Sequence, residues 1–371
     1  MRPGARNVVT ALGTVLALGL AVAALSTAGL PAAPGLAASS AEAHVAEPER
    51  RRAPALRVEG AQIVGPHGEP IQLGGVNRSG AEYACAQGWG IFDGPVDRAS
   101  IKAIKSWHAN AVRIPLNEHC WLGINGVSPE YGGAAYRKAI TGFVARIERR
   151  GLNVILDLHW TNHGDQLALG QQKMPNADHS PAFWRSMAKR FGDDRAVVLD
   201  LFNEPHDVDW SCWRDGCELD GWQAVGMQRL VNVVRNAGAK NVLLVNGIGW
   251  AGDISARAAN RPDDPRDQLV AGWHIYNFSS CTTPACWTAH ADDGVGAAAP
   301  ILIGEMGQSD CAQWFVDQLM GWADDRGIGY LAWTWDDWPN CDGPTLITDY
   351  DGTPTSYGAG VRAHYRDRFA P

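Results

Sequence analysis

The sequence predicts an α/β fold, a single (β/α)8 TIM barrel. Short apolar runs alternate with longer segments of helical period. The runs are almost continuously apolar, as is typical of parallel strands that are covered on both faces. They form about eight strand–helix units, the number that closes a barrel. The chain has 371 residues, enough to bury a large core within one such domain.

The first 54 residues are predicted to lie outside the barrel. Arg2 and Arg6 precede an uncharged apolar run, Val8 to Leu25, and small residues follow it. This is the pattern of a secretory signal peptide, assigned to residues 1–30, although the run is also long enough for a retained membrane anchor. Residues 31–54 are rich in Ala, Pro and Glu, which is typical of a linker. The barrel domain then spans residues 55–371.

The predicted elements follow the linker in a regular order. The strand-like runs are IQLGGVN (71–77), NAVRIPLN (110–117), NVILDLHW (153–160), AVVLDLFNEP (196–205), NVLLVNG (241–247), LVAGWHIY (269–276), PILIGEMG (300–307) and GYLAWTWDDW (329–338). The helix-like stretches between them include Ala134–Arg150, Pro181–Phe191, Trp222–Asn236 and Cys311–Asp325. No repeat or second domain follows the last run.

Composition limits the classes of partner. The chain has 40 acidic and 32 basic residues, a net charge of −8. This balance argues against nucleic acid and anionic membranes, because both select clustered Lys and Arg. Trp is abundant, with 16 residues against 8 Phe. Indole rings can stack on sugars, but large aromatic residues also fill cores, so composition alone leaves both interpretations open.

Cysteine usage is consistent with export. All eight Cys lie beyond the linker, and an even count in an exported chain indicates disulfides. Cys212 with Cys217 and Cys281 with Cys286 each enclose a short loop, so local bridges are expected there. The others are left for longer closures: Cys85, Cys120, Cys311 and Cys341. Zinc is the rival interpretation, but the C-x4-C spacing is not that of a zinc site.

Polar residues gather where the predicted strands end. In a barrel these ends converge on one face, where the chemistry of this fold is found. Each residue taken singly has a structural explanation, such as a buried ion pair or a helix cap, but burying all of them together without a ligand would be costly. The residues are Arg113, Asn117, His159, Asn203, Glu204, His274, Tyr276 and Glu305.

Two of these strand-end residues are glutamates. Glu204 ends the fourth run and Glu305 ends the seventh, so they are expected to face each other across the barrel mouth. Retaining glycoside hydrolysis needs such a pair, with the carboxyl groups about 5–5.5 Å apart. One carboxyl must hold its proton while the other is ionised. Arg113 is expected to stabilise an ionised Glu305, and His274 and Tyr276 share one strand face within reach of the pair.

Seven fragments, spread over the whole predicted barrel, resemble glycoside hydrolase family 5, the cellulase-type (β/α)8 glycosidases. They are GGVN (74–77), VRIPLN, DLHW, FNEP, GWHIY, IGEMG and AWTW. The resemblance implies that residues 55–371 form a catalytic domain that hydrolyses O-glycosyl bonds of a β-linked polysaccharide or oligosaccharide by double displacement. It implies that Glu204 is the general acid/base and Glu305 the nucleophile.

The resemblance also implies roles for the surrounding residues. Asn203 would bind the sugar hydroxyl next to the reacting carbon, and His159 would contact the sugar ring. Trp333 would form the stacking floor beneath that ring. Arg113 and Tyr276 would hydrogen-bond the nucleophile, while His274 would tune the acid/base. Asn77, Trp160 and Trp335 are further candidates for substrate binding.

The loop sequences do not identify the substrate. The segments 117–126 and 161–180 would build walls beside the reacting sugar, forming either a groove for a polymer or a pocket for a chain end. An endoglucanase-like enzyme and an exo-acting enzyme on a cell-envelope sugar, such as galactofuranose or mannose, are therefore both compatible. A barrel that only binds carbohydrate is a third alternative, opposed by the intact glutamate pair. Candidate sugar platforms are Trp121, Trp160, Trp273, Trp335 and Trp338.

One further motif needs an explanation. GIGWAG (247–252) matches the dinucleotide-binding pattern G-x-G-x-x-G, but Pro262 and Pro265 interrupt the segment that follows. A loop over the barrel mouth explains it better. No serine-hydrolase elbow, zinc-protease motif or phosphate loop is present. We therefore expect a secreted or envelope-located monomer that needs no cofactor and no metal and binds no nucleic acid.

Overall fold

The computed structural model describes residues 52–296, 299–339 and 343–371. The strands are β1 (Arg57–Glu59), β2 (Gln62–Val64), β3 (Gly74–Asn77), β4 (Ala111–Asn117), β5 (Asn153–Trp160), β6 (Val197–Asp200), β7 (Gly216–Leu219), β8 (Trp222–Val225), β9 (Leu243–Asn246), β10 (Leu269–Tyr276), β11 (Ile301–Gly307) and β12 (Gly329–Ala332). The predicted signal segment lies outside the described residues, as does the predicted linker up to residue 51.

The helices are α1 (Arg98–Ser106), α2 (Glu118–Leu122), α3 (Ala134–Glu148), α4 (Ser180–Phe191), α5 (Trp210–Asp215), α6 (Met227–Asn236), α7 (Pro284–Ala289), α8 (Trp314–Asp324) and α9 (Ser356–Phe369). A π-helical turn, His290–Val295, continues α7. In the described part of the chain, none of the helices combines the length and the apolar character that crossing a bilayer would require.

Eight parallel strands close into a barrel in the order β3, β4, β5, β6, β9, β10, β11, β12. The (β/α)8 prediction is therefore confirmed. Gly75 shows how tightly neighbouring strands pack, because a Cβ there would lie 2.2 Å from the carbonyl oxygen of Ala111. The antiparallel pair β1 and β2 precedes the barrel, and Leu56 and Ile63 join the apolar cluster that includes Leu73 at the amino-terminal ends of the strands.

Two sequence predictions differ from the structure. The stretch Trp222–Asn236 was expected to be one helix, but Trp222–Val225 forms strand β8 and pairs with β7, so only Met227–Asn236 is helical. The turn between β7 and β8 is Asp220-Gly221, with φ of 50° and 85°. Asp-Gly is a strong hairpin signal, and here it outweighs the helical period of the flanking residues.

The second difference concerns the fifth strand–helix unit. Strand β9 is followed by turns and bridges over residues 247–268, with no helix described there. The GIGWAG segment belongs to this connection, which confirms that it is a loop. Its residues Trp250 and Ala251 have positive φ values of 61° and 54°, a conformation that breaks any regular element.

Disulfides join Cys212 to Cys217 and Cys281 to Cys286, as predicted, and Cys85 to Cys120 across 35 residues. Cys311 is also disulfide-bonded, and Cys341 lies outside the described residues. The Cys85–Cys120 bond ties the loop after β3 to helix α2, beside the carboxyl ends of β3 and β4. Closing a loop of this length restricts the unfolded chain and thereby stabilises the folded one.

Candidate active site

The carboxyl ends of the barrel strands gather the predicted site residues. β4 carries Arg113, β5 carries His159, β10 carries His274 and Tyr276, and β11 carries Glu305. His274 and Glu305 are register partners on adjacent strands, so their side chains are neighbours. Successive side chains along a strand alternate between its two faces, so His274 and Tyr276, two residues apart, lie on the same face. Both reach the carboxyl group of Glu305, at 3.6 Å and 2.6 Å.

Glu204 is held by a segment that continues β6 without being part of it. The strand ends at Asp200, but the amide of Leu201 still donates to the carbonyl of Leu244 (3.0 Å), and that of Asn203 donates to the carbonyl of Leu158 (3.0 Å). The Asn246 side chain adds two hydrogen bonds to the carbonyls of residues 202 and 203, both 2.9 Å. Asn203 and Glu204 are therefore fixed between the two neighbouring strands.

Arg113 is the centre of the site. Its guanidinium is fully buried and donates through Nη1 to Glu305 Oε1 at 2.6 Å. Burial favours the neutral form, but the surrounding carboxylates outweigh it and raise the pKa of Arg113, so it stays charged. The remaining partners are Asp157 (3.0 Å), Asp200 (2.9 Å), Asn77 (3.0 Å) and Asn203 (2.8 Å).

Glu305 accepts two short hydrogen bonds from opposite directions. Besides Arg113, the hydroxyl of Tyr276 donates to its Oε2 at 2.6 Å. The residue is only 4% exposed. Hydrogen bonds to a charged carboxylate are stronger than those between neutral groups. The geometry therefore stabilises Glu305 as an oriented, ionised carboxylate, the state a nucleophile requires.

Glu204 has a different environment. Burial raises its pKa above the usual 4.5, although His159, Arg113 and a hydrogen bond from Gln171 each act to lower it. Its Oε1 lies 2.9 Å from Nδ1 of His274. Burial also lowers the pKa of His274 to about 3, so this imidazole is neutral and does not force Glu204 to ionise. Glu204 is thus the carboxyl of the pair whose pKa is raised by burial.

The two glutamates lie close enough to act on one bond. Facing oxygens of Glu204 and Glu305, together with a ring nitrogen of His274, lie within 4.8 Å of one another. Retaining glycosidases keep their carboxyl groups about 5–5.5 Å apart, whereas inverting ones leave about 6.5–9.5 Å for a water. The spacing here matches the shorter class.

Both glutamates open into a cavity of about 670 Å³ at the barrel mouth. His159 and Trp333 line it side by side, with stacked rings whose centroids are 5.7 Å apart. His159 Nδ1 lies 2.6 Å from Asp157, and burial lowers the pKa of His159 to about 4. The remaining lining residues are Asn203, Gly249, Trp250, Gly252, Tyr276, Phe278, Ser279, Ser280, Gly343 and Pro344.

Several predicted sugar contacts are not in this cavity. Trp335 is fully buried and packs edge-on against Trp107, with centroids 4.8 Å apart. The prediction assumed that Trp333 and Trp335 share one strand face, but β12 ends at Ala332, so the strand alternation no longer applies. Trp121 and Trp273, predicted as sugar platforms, are also fully buried core residues.

Asn77 was predicted as a substrate contact but is also fully buried. Its amide donates to the carbonyl of Gly304 at 3.0 Å, and its Oδ1 accepts from Arg113. It therefore positions Arg113 and does not face the cavity. Trp160 is half-buried beside Tyr83, with centroids 6.1 Å apart, and does not line the cavity either. Trp338 is half-buried.

Some residues of the site were not predicted. Asp157 and Asp200 hold Arg113 from β5 and β6, and the period of two in DLHW places Asp157 on the same face as His159. Gln171, from the long loop after β5, donates to the carbonyl of Glu204 at 3.0 Å and accepts from the amide of Asn203. The loop aromatics Trp250 and Phe278 are 52% and 66% exposed beside the cavity.

Two groups of side chains in the described residues have donor atoms close enough for a metal ion. One is Glu204, His274 and Glu305; the other is Cys281, Cys286 and His290. The two cysteines of the second group form a disulfide and offer no thiolate. At the first group, a cation would compete with Arg113 for Glu305.

Comparisons with known proteins agree with this geometry. The family model described as "Cellulase (glycosyl hydrolase family 5)" matches residues 64–338. Endoglucanase CelA of Streptomyces lividans is 25% identical over 336 residues, covering 83% of this chain and 63% of that protein. A mannan endo-1,4-beta-mannosidase of the same organism is 25% identical over 294 residues, covering 76% and 66%.

Among solved structures, a beta-glucanase from Saccharophagus degradans in complex with cellotetraose superposes with a TM-score of 0.63 at 19% identity, covering 85% of this chain and 94% of that one. This likeness concerns the fold. The chain spans less than two thirds of the length of the curated relatives that match it first. The family model nevertheless covers most of the barrel, and the chain belongs to glycosyl hydrolase family 5, the cellulase family.

Proposed function

We propose that this protein is a retaining glycoside hydrolase that cleaves within β-1,4-linked glucan or mannan chains. The observation that carries the proposal is the pair of facing glutamates, whose nearest oxygens lie within 4.8 Å and whose environments differ. Burial raises the pKa of Glu204, which favours its protonated form, whereas Arg113 and Tyr276 donate hydrogen bonds that favour Glu305 as a carboxylate. Family membership supports the same reaction.

The reaction runs in two displacements. Glu305 attacks the anomeric carbon while Glu204 gives its proton to the leaving oxygen, which breaks the glycosidic bond and forms a glycosyl ester on Glu305. Glu204, now ionised, takes a proton from water as that water attacks the anomeric carbon. The ester bond breaks, Glu305 regains its charge and Glu204 regains its proton. Atoms and charges balance without a cofactor.

The neighbours of the glutamates have supporting roles in this scheme. His159 and Asn203 would contact the sugar bound at Glu305, and Trp333 would stack beneath it, because all three line the cavity. Arg113 and Tyr276 would keep the nucleophile ionised and aimed. His274, neutral and 2.9 Å from Glu204, would orient the acid without removing its proton.

An open site supports action within a chain. Trp250 and Phe278 stand exposed at the rim of the cavity, where rings of a longer chain could stack on them. The matching endoglucanase and mannan endo-1,4-beta-mannosidase support a β-1,4-linked polymer of glucose or mannose. An exo-acting enzyme would need a closed pocket for the chain end. Trp250 and Phe278 are exposed to solvent at the position where the wall of such a pocket would stand.

We also propose that the protein acts outside the cytoplasm. The apolar run Val8–Leu25 has the composition of an export signal, and the described barrel contains three disulfides between described cysteines. In this proposal residues 1–30 are the export signal, residues 31–54 are a linker, and residues 55–371 form the catalytic domain. N-terminal sequencing of the exported protein tests the first boundary.

The central test is a pair of glutamate variants. Glu204→Ala and Glu305→Ala should each lower kcat on a β-1,4-glucan or β-1,4-mannan by a factor of about 10⁴ or more, with unchanged thermal unfolding. Azide should restore turnover of an activated aryl glycoside in both variants. Glu204→Ala should release the β-glycosyl azide, because the ester on Glu305 still forms, and Glu305→Ala should release the α-azide.

Product analysis separates this proposal from its rivals. NMR of the wild-type reaction should show the β-anomer first, and chromatography should show oligosaccharides of mixed length from the polymer. Initial α-anomer would contradict the nucleophile role of Glu305. Release of monosaccharide alone would indicate an exo enzyme. Binding of the polymer without any cleavage would indicate a carbohydrate-binding barrel.

A further inference from the structure

One side of the barrel carries a concentration of positive charge that the net charge of −8 conceals. It is formed by α1, α3, α4 and α6, which follow the adjacent strands β3, β4, β5 and β6. Within these four helices the only acidic residue is Glu148, and it is buried. We call this surface the basic wall. Its exposed basic residues are Arg98, Lys102, Lys105, Lys138, Arg149, Arg150, Arg185, Lys189, Arg190 and Arg229.

The charges of the basic wall are not neutralised by the protein. Among the described residues, no carboxylate lies within ion-pair distance of any of these ten side chains. Some exposed basic residues elsewhere are paired, such as Lys173 with Asp220 at 2.9 Å and Lys240 with Asp193 at 2.8 Å, whereas Arg266, Arg326 and Arg362 are exposed and unpaired among the described residues. What distinguishes the wall is the number of unpaired basic side chains on four neighbouring helices whose one carboxylate, Glu148, is buried.

Three grooves between the helices concentrate these charges. The first, of about 850 Å³ between α1 and α3, is lined by six basic side chains and one carboxylate, Glu69. The second, of about 480 Å³ between α3 and α4, is lined by Arg137, Lys138, Lys189 and Arg190. The third, of about 430 Å³ between α4 and α6, is lined by Arg185, Lys189 and Arg229.

The second and third grooves share a basic residue and also offer polar side chains. Lys189 belongs to the second and the third groove, so the charge does not stop at the ridge of α4. Thr141, Ser186, Asn232 and Asn236 line the same two grooves and offer hydrogen-bonding groups. In the first groove, burial together with the neighbouring charge of Arg149 lowers the pKa of Arg146. An anion bound there would relieve this repulsion.

We propose that the basic wall binds an anionic polysaccharide. A flexible linear chain can follow three successive grooves around a convex wall, whereas a flat bilayer would touch one or two helices. The exposed large apolar side chains of the described residues lie elsewhere, at Trp89, Leu169, Trp250, Phe278 and Trp314. The wall thus lacks the exposed aromatic platforms typical of single-stranded nucleic acid sites. Cations with hydroxyl and amide groups suit a sugar chain that bears carboxylates.

This surface is separate from the barrel mouth, and its partner need not be the polymer that the glutamates cleave. An anionic polysaccharide bound to the basic wall would hold the enzyme on an acidic matrix, while the barrel mouth would stay open to a neutral chain. The proposal therefore does not depend on the proposed activity. Tethering on a matrix raises the local concentration of the enzyme at its substrate, which increases the rate without any new contact at the site.

The test measures binding of the whole protein to polygalacturonate, which carries one carboxylate on each sugar, with neutral dextran as the reference. Four substitutions on the wall, Arg185→Gln, Lys189→Gln, Arg190→Gln and Arg229→Gln, should weaken binding by about tenfold or more. The matched control removes the same charge elsewhere: Arg266→Gln, Arg326→Gln, Arg362→Gln and Arg366→Gln.

We expect the wild type and the control to bind polygalacturonate about equally, more tightly at about 50 mM than at 300 mM NaCl, and not to bind dextran. Unchanged thermal unfolding and unchanged hydrolysis of a short neutral aryl glycoside would show that the wall variant is folded. Equal binding by the wall variant and the control would overturn the proposal. So would tighter binding to DNA, or binding to phosphatidylglycerol vesicles without binding to polygalacturonate.

Discussion

The mouth of the barrel is built from two kinds of residue. The strand residues Arg113, Tyr276 and Glu305 are buried and joined by hydrogen bonds of 2.6 Å. The loop residues Trp250 and Phe278 are more than half exposed, at 52% and 66%. One set is fixed by the barrel itself, and the other is carried on connections of irregular backbone.

This difference separates chemistry from recognition. Buried hydrogen-bonded groups keep the charge and direction that a reaction step needs, since no water competes for them. Exposed aromatic side chains contribute contact area to a ligand but do not touch the reacting bond. Substitutions in the strand set should therefore lower kcat, whereas substitutions in the loop set should raise KM.

Among substitutions of residues around the two glutamates, the largest effect should follow removal of one hydroxyl from the strand set. Tyr276→Phe deletes the donor to Glu305 Oε2 and leaves Arg113 in place. A hydrogen bond to a charged group contributes about 1.5–3 kcal/mol, so kcat should fall about 10- to 100-fold. The measurement is kcat and KM on a short aryl glycoside of the preferred sugar.

Tyr330→Phe is the matched control. Its hydroxyl also donates to a carboxylate, Asp324 at 2.9 Å, but outside the mouth. It should keep kcat near the wild-type value. A Tyr276→Phe enzyme with normal kcat, or an equal loss in both variants, would contradict a specific role of this hydroxyl at the nucleophile.

A smaller and different effect is expected from the loop set. Trp250 stacks on His206 with centroids 3.5 Å apart and lines the cavity. An aromatic stacking contact contributes about 0.5–1.5 kcal/mol. Trp250→Ala should therefore raise KM for the polymer about two- to tenfold, with kcat on a short aryl glycoside almost unchanged.

Trp314 provides the control for this variant. It is 61% exposed at the start of α8 and does not line the cavity. Trp314→Ala should leave KM unchanged. If Trp250→Ala lowered kcat 100-fold on the short substrate, the division between strand and loop residues would be wrong at this position.

The same division explains what the sequence could predict. Strand ends can be located from apolar runs that stop at a polar residue, and the barrel then brings them together. Glu204, Glu305, Arg113, His274 and Tyr276 were all identified in this way, and the structure gathers them at one mouth. Their period along a strand also predicts which of them share a face.

Loop residues escaped prediction because no period describes them. Trp250 lies in an irregular turn, where its φ is positive, and such a turn has no repeating sequence pattern from which it could be predicted. The mistaken prediction for Trp335 has the same origin, since the strand rule was applied beyond Ala332, where the strand ends. The basic wall was missed because its charges lie on four separate helices that only the closed barrel places side by side.

The smallest expected effect concerns a loop residue beside Glu204. Gln171 donates to the carbonyl of Glu204 at 3.0 Å and accepts from Asn203. Burial raises the pKa of Glu204, and a separate hydrogen bond from the Gln171 side chain to the Glu204 side chain partly offsets this. Gln171→Ala should therefore raise the pKa of Glu204 further. Because Glu204 acts in its protonated form in the proposed reaction, the alkaline limb of kcat/KM should move to higher pH.

The sign of this shift distinguishes a tuning role from a merely structural one. A loop that only lost rigidity would lower kcat/KM at every pH without moving the limb. Gln166→Ala provides the control, because Gln166 lies on the same loop and bonds only its neighbour Asp165 among the described residues. The prediction is contradicted if the alkaline limb of kcat/KM in Gln171→Ala stays in place or moves to lower pH. The loop would then shape the groove without changing the pKa of Glu204.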